Sequence, residues 1–144
     1  MTVGGRVGGG RRTVAVLFGG ENSAATVLGD TWERGATTGW TAQVPASAPS
    51  PRMHHAMAYQ GNLGKTVLFG GAKGGTLYNE TWVWNGKSWG QSQPLNAPPP
   101  RKQHALVHHA ALGKLLLFGG FGAIAQADEA DFDVLQKNGQ ILLS

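Results

Sequence analysis

The chain contains no cysteine among its 144 residues. This excludes disulfide bonds, thiolate catalysis and cysteine-ligated metal sites, and it leaves the redox compartment open. Charged residues make up only 14% of the sequence. No run of 18 apolar residues occurs, so the sequence predicts no transmembrane helix. The first twelve residues lack the apolar segment of a secretory signal peptide, so we do not expect one in this chain.

The net charge of +4 is concentrated at the N-terminus. Arg6, Arg11 and Arg12 supply three of the twelve basic residues, and residues 13–144 carry nine basic against eight acidic side chains. Three arginines without interleaved aromatic residues are too few for an Arg/Gly-type RNA site. We therefore predict a disordered Gly/Arg-rich segment over residues 1–12 and no nucleic-acid partner.

Glycine is abundant, with 23 residues, about twice its usual frequency. Apolar residues make up 41% of the chain, enough to form a core. Many glycines with few charges favour short strands joined by tight turns over a helical or a disordered chain. Composition alone thus favours an all-β protein.

An internal repeat of about 50 residues runs through the sequence. The string Leu-Phe-Gly-Gly begins at Leu17 and returns at Leu68 and at Leu117. Further landmarks keep the same spacing, and they pair Thr31-Trp32 with Thr81-Trp82, Trp40 with Trp89, Pro51-Arg52 with Pro100-Arg101, and His55-Ala56 with His104-Ala105. Landmarks held in register over two periods indicate a repeat protein.

Each repeat predicts one antiparallel sheet of four strands. In the middle unit the strands are predicted at His55–Tyr59, Thr66–Phe69, Glu80–Trp84 and Ser88–Gln93. Asn85-Gly86 is a strong hairpin signal, and Pro94–Pro100 reads as a stiff crossing to the next unit. One such sheet cannot bury both of its faces, so it must stack on its copies, with the repeated tryptophans between them. Radial stacking of four-stranded sheets is a β-propeller.

An apolar strand ending in Gly-Gly, an acidic-Thr-Trp step and a second Trp seven or eight residues later resemble the kelch motif, as in the central domain of galactose oxidase. The resemblance covers residues 13–144 and implies an all-β, incomplete kelch-type β-propeller, an arc of about three four-stranded antiparallel blades. The expected units are 13–50, whose inner strand is missing or degenerate, 51–99, which is complete, and 100–144. In the last unit the outer strands are degenerate, because Phe132 replaces the first Trp and acidic residues crowd the third strand.

Closed propellers need about four to eight blades, more than this chain supplies. Either the chain is a piece of a longer protein, or copies associate to complete a ring as a homo-oligomer. Open sheet edges are a liability for a monomer, so we favour the first explanation. The resemblance also implies a bacterial, exported protein.

Four repeat-equivalent residues are the candidate ligand-binding residues: Arg52, His55, Arg101 and His104. The histidines could face a central channel, but repeated histidines are more often structural and hydrogen-bond between blades. The arginines could bind an anionic or carbohydrate ligand, or form salt bridges with acidic residues such as Asp30 or Glu80. No spacing of histidines and carboxylates predicts a metal site, and no catalytic motif or cofactor is indicated.

The resemblance implies a module that binds a protein or a carbohydrate through loops at one rim. Those loops are predicted at Glu21–Gly29, Ala72–Asn79 and Phe121–Ala127, together with the crossings Pro45–Pro51 and Pro94–Pro100. The alternative is a part of a kelch-related carbohydrate-active enzyme, epimerase- or oxidase-like, whose site needs the full ring. Oxidase chemistry requires a Cys–Tyr cofactor that a cysteine-free chain cannot form.

Overall fold

A computed structural model describes residues 2–6, 13–94, 97–122, 132–137 and 140–143. These residues form strands, turns and loops, with no helix among them, and all strand pairs are antiparallel. The predicted all-β class is confirmed. Over the same residues, no helix is long and apolar enough to cross a bilayer.

Sheet I contains the first four strands in chain order, β1 (Thr2–Arg6), β2 (Thr13–Glu21), β3 (Val27–Gly35) and β4 (Gly39–Gln43). Strand β2 alternates buried and partly exposed residues from Val14 to Phe18, as expected of a strand with one face on a core. The register places Leu17 opposite Trp32, so the repeat landmarks of this unit are cross-strand neighbours.

Strand β1 differs from the sequence prediction of a disordered segment and a missing inner strand. It pairs with β2, with Thr2 opposite Val16 and Arg6 opposite Thr13, and the register shifts between Thr2 and Gly5. The edge of β2 presents backbone N–H and C=O groups that need partners, and backbone pairing requires no apolar side chains. A Gly/Arg-rich sequence can therefore form a strand that its composition does not predict. Residues 7–12 lie outside the described part of the chain.

Sheet II is the second unit. Its strands are β5 (Ala56–Gln60), β6 (Lys65–Phe69), β9 (Thr81–Trp84) and β10 (Trp89–Ser92), in the spatial order β10-β9-β6-β5. A small hairpin of β7 (Ala72–Lys73) and β8 (Thr76–Leu77) lies between β6 and β9 in the sequence. Strand β6 is buried at four successive residues from Thr66 to Phe69, so both faces of this sheet are covered.

Sheet III is the third unit. It contains β12 (Ala105–His109), β13 (Lys114–Phe118), β15 (Phe132–Lys137) and β16 (Gln140–Leu143). A two-stranded pair of β11 (Arg101–Lys102) and β14 (Phe121–Gly122) accompanies it. The outer strands predicted to be degenerate are thus placed as β15 and β16, with Leu116 opposite Asp133.

Two apolar cores hold the three sheets together in chain order. The first lies between sheets I and II and is formed by Val14, Val16, Phe18, Met57, Leu68, Trp82, Trp84 and Trp89. The second lies between sheets II and III and is formed by Ala58, Val67, Phe69, Leu115 and Leu117. Strand β5 contacts both β1 and β12, so the first strands of the three units lie side by side.

Candidate functional site

In the first two units, the Gly-Gly pair that ends the second strand is where the next unit's chain crosses. The amide N–H of Gly20 donates to the carbonyl of Arg52 at 2.9 Å, and that of Gly71 donates to the carbonyl of Arg101 at 2.9 Å. The amide of Arg101 in turn donates to the carbonyl of Tyr78 at 3.2 Å. The segment before each inner strand is therefore fixed on the preceding sheet, and this brings the candidate residues to the boundary between sheets.

Only glycine fits the first position of this pair. Gly70 has a φ of +67°, and a Cβ there would lie 2.6 Å from the carbonyl oxygen of Arg101. Gly19 has the same conformation, with a φ of +58° and a Cβ 2.7 Å from the carbonyl oxygen of Arg52. The repeated glycines thus permit a close approach of two backbones as well as a left-handed turn.

Arg52 is fully buried and is held on every side. Its guanidinium pairs with Glu80, donates to the carbonyl of Gly70 at 3.2 Å, and donates to the carbonyl and the hydroxyl of Ser50 at 3.0 Å each. Its Cζ atom lies over the ring of Tyr78, 4.1 Å from the ring centroid. The ion pair with Glu80, one of the two interpretations that the sequence left open for this arginine, is present. No N–H group of the guanidinium is exposed to solvent, so Arg52 stabilises the fold through contacts inside the protein.

The surroundings of Glu80 keep its carboxyl ionised for the ion pair with Arg52. Burial raises the pKa of its carboxyl, but hydrogen bonds from Trp82 and Arg52 outweigh that effect and hold the pKa below its usual value. The Trp82 indole donates to the same carboxylate oxygen at 3.0 Å. In the first unit the indole of Trp32 donates to Asp30 at 2.6 Å, so the acidic-Thr-Trp step is a local hydrogen-bonded motif.

Arg101 repeats the position of Arg52 in the third unit. It is 4% exposed, and its guanidinium donates to the carbonyls of Pro99 at 3.2 Å and Gly119 at 3.0 Å. Burial lowers its pKa. The backbone carbonyls that receive these bonds correspond to those of Ser50 and Gly70 around Arg52, so both arginines clamp the same turn.

His104 also joins two units. Its Nε2 lies 3.1 Å from the carbonyl oxygen of Phe69 in sheet II, and its ring packs edge-on against the Phe69 ring at 5.4 Å. His55 packs in the same way on Phe18, at 5.7 Å. No hydrogen bond reaches either ring nitrogen of His55 among the described residues, although the nearby Phe18 carbonyl acts to raise its pKa.

Both histidines are neutral at pH 7. Burial lowers the pKa of His55 to about 4, and the positive charge of Arg52 adds to that effect. Burial likewise lowers the pKa of His104 to about 4, with a contribution from Arg101. The four candidate residues are thus arranged as two equivalent Arg–His pairs, one at each sheet boundary. The arrangement suits internal support better than contact with a ligand.

Sequence reasoning missed the neighbours of these pairs. Tyr78, which stacks on Arg52, and Gln60, which is fully buried and donates to the carbonyl of Gly113 at 3.2 Å, were not singled out. Neither residue recurs one period later, so the repeat gave no signal for them. For Ser50 the only signal is its place two residues before the arginine.

The rim that carries the loops between second and third strands is exposed and polar. In the first unit Asn22 orders the loop, because its side-chain oxygen accepts from the amides of Ala24 at 3.0 Å and Thr26 at 2.9 Å. In the second unit the β7–β8 hairpin exposes the four residues 73–76. The third predicted loop lies largely outside the described residues. Among residues whose placement is described, no group of three His, Asp or Glu side chains could hold a metal ion.

No family model matches this chain, and no curated protein matches it. Among solved structures the chain is similar to one described as the structure of YjhT, with a TM-score of 0.70 and 17% sequence identity. The similarity covers 99% of this chain and 44% of the YjhT chain, so the chain spans less than half the length of that neighbour. At this level of identity the likeness concerns the fold alone.

Proposed function

We propose that the chain is an arc of a kelch-type β-propeller that works as a binding module, with a protein or a carbohydrate as its ligand. The observation that carries this proposal is that the polar residues fall into two groups, one buried between sheets and one exposed at the rim. The repeated Arg52 and His104 are buried and bonded between sheets, whereas the loops at one rim are exposed and ordered.

The rim is suited to binding because its shape is fixed before a ligand arrives. The Asn22 hydrogen bonds and the β7–β8 pairing hold the loop backbones in one conformation, which lowers the entropy that binding must overcome. Lys73 lies exposed in the hairpin and offers a charge to a ligand. Loops held by a rigid scaffold are the usual place for recognition.

The test is a binding screen of the purified chain against a glycan array and a peptide library, followed by two matched variants. Lys73→Glu changes the rim, and Lys87→Glu changes an exposed lysine in the β9–β10 turn at the opposite end of sheet II. We expect Lys73→Glu to weaken binding of any hit at least about tenfold, an effect of roughly 1.4 kcal/mol, and Lys87→Glu to leave it unchanged. Equal effects of the two variants would contradict a rim site.

The alternative, part of a carbohydrate-active enzyme, makes a different prediction. Turnover of a sugar by the chain, abolished by His55→Ala but retained by Lys73→Glu, would replace the binding module with an enzyme. His55 is the residue to change, because its ring nitrogens are buried and unpartnered among the described residues.

A further inference from the structure

Sheet I has an apolar outer face that repeats the inner face of sheet II. Leu17, Trp32 and Trp40 line an open cavity of about 310 Å³ on the side of sheet I away from sheet II, and we call these residues the leading face. Their repeat equivalents in sheet II are Leu68, Trp82 and Trp89, and all three lie in the core against sheet I. Trp40 is 45% exposed, whereas Trp89 is 2% exposed.

Sheet III has the opposite surface. Val107, Leu116 and Phe118, here called the trailing face, are the repeat equivalents of Ala58, Val67 and Phe69, which pack against sheet III in the second core. Val107 lies opposite Leu116, so the two share one side of the sheet. Val107 is 58% exposed and Phe118 is 60% exposed, whereas Phe69 is 1% exposed.

The two faces are complementary to each other. At the boundary of sheets I and II, Phe18 meets Trp89 edge-on at 5.5 Å. Phe118 stands at the repeat position of Phe18, and Trp40 stands at that of Trp89. A trailing face brought onto a leading face would therefore repeat a contact that the chain already makes.

Charge points to the same pairing. At the boundary of sheets I and II the Trp84 indole donates to Glu33 at 2.8 Å. Arg34 is exposed at the repeat position of Trp84 in sheet I. Asp133 stands at the register position of Glu33, because Glu33 pairs with Val16 and Asp133 pairs with Leu116. Arg34 and Asp133 are residues of opposite charge. They stand at the register positions equivalent to those of Trp84 and Glu33, which are hydrogen-bonded at the boundary of sheets I and II.

We propose that the leading face of one copy packs on the trailing face of a second copy of this chain, so that the chain associates head to tail. The contact is heterologous, since each copy contributes a different surface. It does not depend on the ligand at the rim.

The first test is the mass in solution, measured by light scattering and sedimentation over a range of concentrations. We expect a dimer that grows into longer oligomers or a closed ring as the concentration rises, because each head-to-tail pair leaves one face of each kind free. Trp40→Glu or Phe118→Glu should each raise the dissociation constant of the dimer at least about 30-fold, because a charge placed among apolar contacts is left unpaired. Val44→Glu is the matched control, because Val44 is 97% exposed and lies outside both faces, and this variant should dimerise as the unchanged chain does.

Mixing the variants separates head-to-tail from like-to-like contacts. Each glutamate variant alone lacks one of the two surfaces and should be monomeric. An equimolar mixture of Trp40→Glu and Phe118→Glu retains one intact surface of each kind and should form a heterodimer. If the Trp40→Glu variant is monomeric and Phe118→Glu is unaffected, the contact is leading face to leading face, and the proposal is wrong.

Two further measurements keep the test decisive if a glutamate variant folds poorly. Because the chain has no cysteine, Trp40→Cys and Phe118→Cys can be mixed, and a crosslinker should join unlike variants in preference to like ones. Arg34→Glu, on an exposed side chain, should weaken the dimer, and a partner carrying Asp133→Arg should restore it. A monomer at every concentration would overturn the proposal and leave both faces to further sheets of a longer polypeptide.

Discussion

Arg52 makes several hydrogen bonds and an ion pair at once, and its side chain is not exposed to solvent. Its guanidinium serves Ser50, Gly70 and Glu80 at once, and its fork geometry is what makes these bonds simultaneous. A lysine side chain carries the same charge, but it lacks the planar set of N–H donors that a guanidinium offers. The arginine therefore acts as a cross-brace between the crossing segment and the end of strand β6.

Removing this brace should cost a large part of the stability. We expect Arg52→Met to lower the free energy of unfolding by about 3 kcal/mol, since breaking a buried pair leaves polar groups unsatisfied. Glu80→Gln should cost less, because Glu80 is 32% exposed and keeps the Trp82 indole as a partner. Urea unfolding of the two variants and the double variant measures the coupling. Additive effects would mean that the pair contributes nothing.

Gly70 allows a separation of backbone strain from steric clash. Gly70→Ala combines a positive φ with a Cβ 2.6 Å from the Arg101 carbonyl oxygen. Gly74→Ala has a φ of +57°, and no atom of the described residues lies within 4 Å of the added Cβ. We expect about 1 kcal/mol of destabilisation for Gly74→Ala, from φ strain alone, and at least about twice that for Gly70→Ala. Equal losses in thermal unfolding would show that the close approach relaxes freely.

At this scale the repeat marked equivalent positions in the sequence but did not predict the contacts of their side chains. The 49-residue spacing singled out the arginines and histidines, and an ion pair with Glu80 was one of two interpretations. A sequence repeat marks equivalent positions, but it does not distinguish a side chain that faces a channel from one that is buried between sheets. Tyr78 and Gln60 do not recur, so only the tertiary contacts reveal them.

Strand β6 is the central element of the chain because both of its faces are buried. Leu68 faces sheet I, and Val67 and Phe69 face sheet III. Strand β2 carries the same Leu-Phe-Gly-Gly sequence, yet its Leu17 is only half-buried, since no sheet formed by the described residues covers that face. The same local sequence therefore contributes different amounts to the free energy of unfolding in different units.

This difference gives a matched pair of substitutions. Leu68→Ala removes a fully buried side chain, and we expect it to cost about 3 kcal/mol, within the usual range for a core leucine. Leu17→Ala, at the equivalent position, should cost less than about 1 kcal/mol when measured on the monomer. Denaturant unfolding at low protein concentration compares the two. Equal losses would mean that the outer face of sheet I is already covered.

The elements were predictable where apolar alternation and hairpin signals coincide, as in sheet II. They were not predictable at β1, where glycine and arginine give no apolar signal and pairing depends on the backbone of β2. Strands β15 and β16 were obscured in the same way, since acidic residues around Phe132 weaken the strand pattern. In both cases a neighbouring strand edge supplies the hydrogen-bond partners that the local sequence does not announce.

At the scale of the whole molecule, the three four-stranded sheets of the described residues meet at two boundaries, and each boundary buries a neutral histidine. The pKa values of His55 and His104 are both lowered to about 4 by burial, so the folded state favours the uncharged form of each ring. Unfolding exposes the rings and returns their pKa to the ordinary value near 6.5. The unfolded chain thus binds more protons than the folded chain between these two values.

Stability should therefore be full above about pH 6.5 and fall as the pH drops toward 4. Each histidine is expected to contribute about 1 kcal/mol per pH unit in this window. Tryptophan fluorescence during urea unfolding at several pH values measures the slope. His104→Asn should flatten the slope by about half, whereas His109→Asn, at an exposed position on β12, should leave it unchanged. A slope between about pH 6.5 and 4.5 that survives loss of both His55 and His104 would contradict this assignment. The carboxyl of Glu80 should act only below about pH 4.5, because its pKa is lowered from that value.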